Sequence, residues 1–456
     1  MNLNSTLSPS SATYLPLVNN AAAGSVQNAQ KKTENRPGTG SNFAWMVTGT
    51  VWSGVCQWAL LVVLAKLGTV DMLGTFTLAL AIAFPVLMFS CLNLRALYVT
   101  DIGGTYRFCE YLVLRLLMAV VSVAFTLAVA VAGHYNGQLV GAIFLISLAK
   151  ALEYVSDILY GLLQRQERMA PISISMMLRG TLSLIALGLG IYARGSLVWG
   201  AGGMVLASAF TLLAFDVPVS LRLVNYRFAD AWQECRACAG TILTGTGHSR
   251  LRTLAMAGVP LGLVVMLVSL NVNIPRYFVE RSLGIRAQGI FSSLANLMAA
   301  GNMVVGALGQ CATPRLARYY AAGDKRAFNS FLWVLVLASL GLGAAGFAVA
   351  LTFGHPVLTL IYRPEYAARN DVFIWLMAAS GVLYLGNTLG VALTAVRCLT
   401  PQLPLFAVSA GCTALACFVL VPVMGLTGAA AAILLSSLIQ CVGGACLLRG
   451  VMRRAF

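Results

Sequence analysis

The chain has 456 residues, of which 59% are apolar and 10% charged, where an ordinary soluble domain has about a quarter charged. With a mean hydropathy of +0.84, this excludes a water-soluble globular protein. The formal charge of +16 falls largely in loops flanking apolar runs, where anionic lipid headgroups are its natural partners, so it requires no nucleic acid.

Residues 1–41 are rich in Ser, Asn, Ala, Thr and Gly and carry Lys31, Lys32 and Arg36. They have no apolar core of signal-peptide length and read as a disordered cytoplasmic tail. Beyond them, runs of about 20 apolar residues are long enough to cross about 30 Å of hydrocarbon as helices. Twelve such runs fall near 43–65, 72–93, 112–133, 138–161, 171–192, 197–216, 256–275, 284–309, 330–353, 371–396, 403–423 and 428–448. None alternates as a β-barrel strand does. The expected fold class is therefore an all-α polytopic membrane protein, with a six-helix bundle over 42–216, a cytoplasmic linker over 217–255 and a second six-helix bundle over 256–456.

The first span opens on Asn42-Phe43-Ala44-Trp45 and ends at Lys66, and Pro85 is expected to kink the second. The stretch LRALYVTDIGGTYRFCEYLVLR after it, with Arg95, Asp101, Arg107, Glu110 and Arg115, reads on its own as a short charged loop. In the fourth span, SLAKALEYVSDILYG, the residues Lys150, Glu153 and Asp157 lie within roughly 60° of one another on one helix face at about 100° per residue. Arg179 stands near the middle of the fifth span. Each such charge costs about 3 kcal/mol at mid-bilayer, so the four should face an interior and pair with one another. They form either an ion-pair knot joining two spans or the wall of a path that holds an anionic group and exchanges a proton. In the linker, Cys235-x-x-Cys238 has no second pair, and His248 alone makes a poor addition to it, so neither a metal site nor a redox motif is expected. His134 and His355 read as surface histidines.

The segment from Leu270 to Leu297 ends one span with Asn271, Asn273 and Arg276, carries Glu280, Arg281 and Arg286, and opens the next at Gly289-Ile290-Phe291. An earlier segment has the same plan: Leu67-Gly68, Asp71 and Gly74-Thr75-Phe76 stand against Leu283-Gly284, Arg286 and Gly289-Ile290-Phe291, so that Gly74 and Gly289 are 289 − 74 = 215 residues apart. Two halves with an even number of spans each would have parallel topology, with a substrate path in the cleft between them. Of the 30 Lys and Arg, 21 fall in loops on one face and seven on the other, with Lys150 and Arg179 inside spans. By the positive-inside rule both termini are cytoplasmic.

Leu94-Arg95 through Thr100-Asp101 to Leu114-Arg115, Gln166 to Arg168-Met169, Ile174-Ser175 to Arg179-Gly180, and above all Asn273-Ile274-Pro275-Arg276-Tyr277-Phe278-Val279-Glu280 with Gly289-Ile290-Phe291-Ser292 resemble bacterial O-antigen and oligosaccharide flippases of the multidrug, oligosaccharidyl-lipid and polysaccharide exporter superfamily. The resemblance covers roughly residues 42–448. It implies two six-helix bundles around a central cavity, a polyprenyl-diphosphate-linked oligosaccharide as cargo, and a bacterial inner membrane as the location. Membrane lipids and other glycan-assembly proteins would be its partners. It implies no cofactor.

A diphosphate calls for several fixed cations, and the planar fork of Arg matches phosphate oxygens. Arg276 and Lys66, at the corresponding ends of the seventh and first spans, are therefore candidates for the cargo's head, unless they snorkel to the interface; Lys150 and Arg179 complete the cationic set. Asn271 and Asn273 either bond between helices or meet sugar hydroxyls. No GxxxxGK[ST] loop is present, so the energy source is an ion gradient or the cargo's own gradient, with Glu153 and Asp157 as the coupling carboxylates. The competing readings are a drug or cation exporter of the same superfamily, which would want acidic walls, a membrane-embedded glycan polymerase or ligase, which would want a large outward loop, and a scaffold for glycan assembly.

Overall fold

The computed structural model describes residues 39–101, 105–224, 248–396 and 401–455, with positions 233, 236, 237, 240 and 398 between them. Cys235 and Cys238 lie outside the described residues. The elements are α1 (Thr39–Leu67), α2 (Val70–Ser90), α3 (Leu94–Thr100), α4 (Phe108–Ala132), α5 (Gly137–Arg165), α6 (Met169–Arg194), α7 (Leu197–Phe210), a π-helical turn (Thr211–Asp216), α8 (Val217–Val224), α9 (His248–Ala321), α10 (Lys325–Ile361), α11 (Pro364–Ala367), α12 (Asn370–Ala395), α13 (Gln402–Met424) and α14 (Leu426–Ala455).

Among the described residues, eleven helical stretches are long and apolar enough to cross a membrane. One of them, α9, holds two crossings. Its 74 residues are interrupted at Gly284, whose φ of 84° and ψ of 173° are open to glycine and to almost nothing else. The limbs α9a (248–283) and α9b (285–321) bring the crossings to twelve, six in each half. Elsewhere the turns are set by capping side chains: Thr69 accepts from Met72 N at 3.2 Å, Asn136 from Leu139 N at 2.9 Å, and Asp324 from Ala327 N at 2.9 Å. Pro85 sits within α2, which continues to Ser90.

The repeat is visible in the packing. In the first half α1 packs on α6, α2 on α4 and α5, α4 on α5, α5 on α7, and α6 on α7. In the second half α9a packs on α13, α9b on α10 and α12, α10 on α12, α12 on α14, and α13 on α14. Side-chain bonds assign the limbs of α9: Asn271 to Ser409, Tyr362 to the Ser293 carbonyl, and Tyr384 to the Met298 carbonyl. Each pairing in one half has its counterpart in the other.

The halves meet along α2 and α9, and most tightly at the end away from the two termini. There a Cβ on Gly74 would stand 2.1 Å from the Ile285 carbonyl oxygen, and a Cβ on Gly289 would stand 2.5 Å from that of Val70. The contacts are reciprocal at the 215-residue offset, as a pseudo-twofold axis requires. Thr77 Oγ1 donates to Gln288 Oε1 at 3.0 Å beside them. A single apolar cluster unites both halves at this far end, with Leu64, Leu73 and Phe76 against Phe291, Leu294, Tyr366 and Leu376. Nearer the termini the clusters separate. Leu316, Phe328 and Leu448 belong to the second half alone, whereas Leu92, Tyr98 and Tyr111 of the first half hold only the start of α9a, at Leu251 and Leu254.

Candidate functional site

A cavity of about 160 Å³ opens inside the first half, between α1, α5, α6 and α7, with Arg95 of α3 in its wall. The 3.6-residue period of α5 turns Lys150, Glu153 and Asp157 toward it together, and Arg179 reaches it from α6. Lys150 Nζ meets Glu153 Oε2 at 2.8 Å and lies 5.8 Å from the centre of the Phe84 ring. Asp157 is held by two guanidinium groups, Arg95 at 3.0 Å and Arg115 at 3.4 Å, and Arg95 Nε also donates to Gln164 Oε1 at 2.9 Å.

Arg179 follows a different course. Its Nη2 donates to Asp216 Oδ2 at 2.7 Å and to Ser156 Oγ at 2.6 Å, and the other oxygen of Asp216 accepts from Ser175. Side-chain exposure of this pair is only 6% and 2%, so its mutual attraction must offset the desolvation of both groups. Asp216 closes the π-helical turn between α7 and α8, a local widening that often marks functional sites.

Of the residues singled out in the sequence, Lys150, Glu153, Asp157 and Arg179 share one cavity, although only Lys150 and Glu153 pair within that set. Three partners escaped the sequence reading. Arg115, assigned there to a loop, is a buried side chain of α4; Arg95, assigned to the same loop, stands on α3 and turns inward. Asp216, the last residue of its apolar run, is as buried as the arginine it neutralises. An isolated charge between apolar neighbours, as in LVLRLLM or TLLAFDV, was the available signal.

In the second half, neutral side chains form the corresponding polar network among the described residues. Asn271 Oδ1 accepts from Thr413 at 2.8 Å and from Ser436 at 3.1 Å, and Gln440 Nε2 donates to Ser409 Oγ at 3.0 Å, in a network joining α9a, α13 and α14. Asn273 is buried and accepts from Arg276 Nη1 at 3.0 Å. Among the described residues, no carboxylate lies within ion-pairing distance of Arg276.

Lys66 lies apart from all of these, exposed at the far rim. Its Nζ donates to the Leu360 carbonyl at 3.1 Å, and its own carbonyl accepts from Arg363. Arg286 meets Glu365 at 3.2 Å on the same rim. Also there, burial and the neighbouring Glu280 carboxylate push the Tyr135 phenol above its ordinary value. In the opposite loops, the Asp101 carboxyl is held below its ordinary value, chiefly by the Thr105 backbone N–H and also by that of Tyr106. His134, at a positive φ of 54°, and His355 are both exposed.

No family model matches the chain. It is 25% identical over 403 residues to the capsular polysaccharide biosynthesis protein CapF of Staphylococcus aureus, covering 88% of this chain and 97% of that protein. Among solved structures, the inward-facing conformation of a multidrug-resistance MATE transporter of the MOP superfamily matches with a TM-score of 0.70 at 14% identity, over 88% of this chain and 95% of its own. This chain has the fold of that MATE transporter. The outward-facing conformation of a MATE transporter of that superfamily gives 0.59 at 14% identity, over 91% of this chain and 94% of its own. The resemblance of Asn273–Glu280 and Gly289–Ser292 to polysaccharide-exporting members of the MOP superfamily is in keeping with the name of the Staphylococcus aureus relative.

Proposed function

We propose that this transporter carries a polyprenyl-diphosphate-linked oligosaccharide from the inner to the outer leaflet of a bacterial cytoplasmic membrane by alternating access, with both termini in the cytoplasm. The observation that carries the reading is the sign of the charge. Around the cavity Arg95, Arg115, Lys150 and Arg179 outnumber Glu153, Asp157 and Asp216, and among the described residues no carboxylate pairs with Arg276. A cationic drug would meet that surplus as repulsion, whereas a diphosphate would find charge-assisted donors. Lys150, only 12% exposed and shared with one carboxylate, is the first contact, and Arg276 supplies a second across the cleft. Arg179 supports the site through Asp216. Glu153 and Asp157, which are 34% and 30% exposed, are the carboxylates within reach of protons and the candidates for coupling. Asn271 and Asn273 hold α9a in place beside Arg276, and Lys66 contributes to closing the far rim around the head.

The test is deletion of the gene followed by measurement of lipid-linked glycan on each leaflet. Accumulation on the cytoplasmic leaflet, reversed by the wild-type gene and not by Lys150→Ala or Arg276→Ala, is the expected result. An unchanged leaflet distribution, or loss of tolerance to toxic cations in its place, would overturn the proposal.

A further inference from the structure

The charged cavity has a counterpart in the second half. The walls supplied in the first half by α5, α6 and α7 are supplied in the second by α12, α13 and α14, joined there by α9b, and between them lies a cavity of about 330 Å³. That is within the range of about 300–1,000 Å³ usual for small-molecule pockets. Among the described residues, no charged one lines it. Its polar surface comes from Asn387, Gln440, Gln402, Thr313 and Thr394, and Phe406 adds an aromatic ring.

The hydrogen bonding of these groups is partly spent within the fold. Asn387 Nδ2 donates to Asn302 Oδ1, bridging α12 and α9b, Gln402 Nε2 donates to the Cys398 carbonyl at 2.8 Å, and Thr313 and Thr394 donate to carbonyls of their own helices. Each keeps acceptor capacity, and Asn387 and Gln402 keep a second N–H, whereas Gln440 Nε2 donates to Ser409 Oγ and Ser436 Oγ and offers its carbonyl. Such a wall discriminates among cargo parts. Among its described residues a diphosphate would find no cation, and a prenyl chain would leave the free amide groups unpaired, at a cost of about 1–3 kcal/mol for each. Sugar hydroxyls, which both donate and accept, satisfy the amides and threonines, and the apolar face of a pyranose suits Phe406.

We infer that this second-half cavity is the glycan subsite of the transporter, taking neutral, hydroxyl-bearing sugar residues and selecting among glycans, while the first-half cavity takes the diphosphate. The inference rests on the transport reading above. Polar groups built to pair with hydroxyls reject analogues that lack them, so selectivity would reside in Asn387 and Gln440.

The experiment uses the full-length protein in lipid nanodiscs and two probes: bare polyprenyl diphosphate, and the host's purified polyprenyl-diphosphate-linked oligosaccharide. Gly306→Leu and Gly390→Leu are the variants, because a Cβ at either position meets nothing within 4 Å and the side chain enters the cavity without displacing the helices. Each should weaken binding of the oligosaccharide-linked probe about tenfold or more, which is roughly the loss of one or two well-made hydrogen bonds, and leave the bare diphosphate unaffected. Asn387→Ala should act in the same direction. Equal weakening of both probes, or of neither, overturns the subsite. If the wild-type protein binds neither probe, the transport reading itself falls and the subsite falls with it.

Discussion

Replacing Gly289 by Leu is the sharpest test of how the halves are joined. A Cβ at this position would stand 2.5 Å from the Val70 carbonyl oxygen and 2.9 Å from Gly74 N, where ordinary contact begins at 3.4 Å. Helices α2 and α9b must therefore part by about 1 Å before the rest of the leucine is placed. Both approaches are to backbone, which cannot rotate away, so the strain falls on the seam. Overpacking of this kind costs about 1–3 kcal/mol, which depopulates the form joined at the far rim by roughly 5- to 160-fold relative to one that is open there. Hydrogen–deuterium exchange of the peptides covering residues 66–79 and 281–294, read by mass spectrometry in nanodiscs, should rise in Gly289→Leu, and surface polysaccharide in a complemented deletion strain should fall. Gly341→Leu is the control, since a Cβ there meets nothing within 4 Å and neither readout should change. If Gly289→Leu exchanges and complements like the wild type, the reciprocal glycine contact does not hold the halves together.

The other predictions concern charge. Asp216→Asn strips the sealed Arg179 guanidinium of its counter-charge and should destabilise by about 3–5 kcal/mol, seen as a lowered thermal midpoint; the pair Arg179→Met with Asp216→Leu should recover most of it, and no recovery would contradict the sealed-pair account. Glu153→Gln combined with Asp157→Asn should remove any dependence of transport on a pH gradient, and a retained dependence would move coupling elsewhere. Lys150→Ala should abolish transport with membrane-inserted protein unchanged, which quantitative immunoblotting beside the transport assay would check. At the rim, Glu365→Gln should alter transport little at any salt concentration, because its bond to Arg286 lies between side chains 50% and 63% exposed, where ion pairs contribute about 0–1 kcal/mol.

The twelve crossings were legible because each is a continuous apolar run, a signal that survives errors of several residues at its ends. The 215-residue repeat was legible at Gly74 and Gly289 because close backbone approach admits only glycine there, so the same residue had to stand at both places. Lengths were less so. Helix α10 extends from Lys325 to Ile361, beyond the apolar core near 330–353: it starts at the Asp324 cap, and past a non-helical Phe353 (φ −123°, ψ 15°) a further helical segment with Pro356 follows. The clustering of Lys150, Glu153 and Asp157 followed from helical period alone. Their partners did not, since Arg95 is brought to Asp157 by the turn at Leu92 and Asn93, both at positive φ, which no local pattern in LRALYVTD announces, and Arg115 comes from the separate helix α4. Asp216 was hidden for the opposite reason: it ends an apolar run and looked like a boundary charge until α8 carried the helix past it. The position of Lys66 on the rim depends on a partner carbonyl at Leu360, and backbone acceptors leave no trace in side-chain identity.

Magnitudes also decide what an opening of the far end would have to overcome. The rim bonds of Lys66, Arg363 and Arg286 are exposed and contribute about 0–1 kcal/mol each, whereas Phe76, Phe291 and Leu294 are fully buried in the joint cluster and each contributes about 1.5–3 kcal/mol. The seam is therefore held by apolar contact, and it parts only when closure at the opposite end buries comparable surface. On the proposed function, that closure brings Lys150 and Arg95 out of water with more positive than negative charge around them, which is unfavourable while the site is empty. An anionic head removes the excess, and so binds the closing form better than the open one. A ligand shifts a conformational equilibrium only by such a difference in affinity, and on the proposed function that difference would come from cations that the carboxylates of the cavity do not fully neutralise.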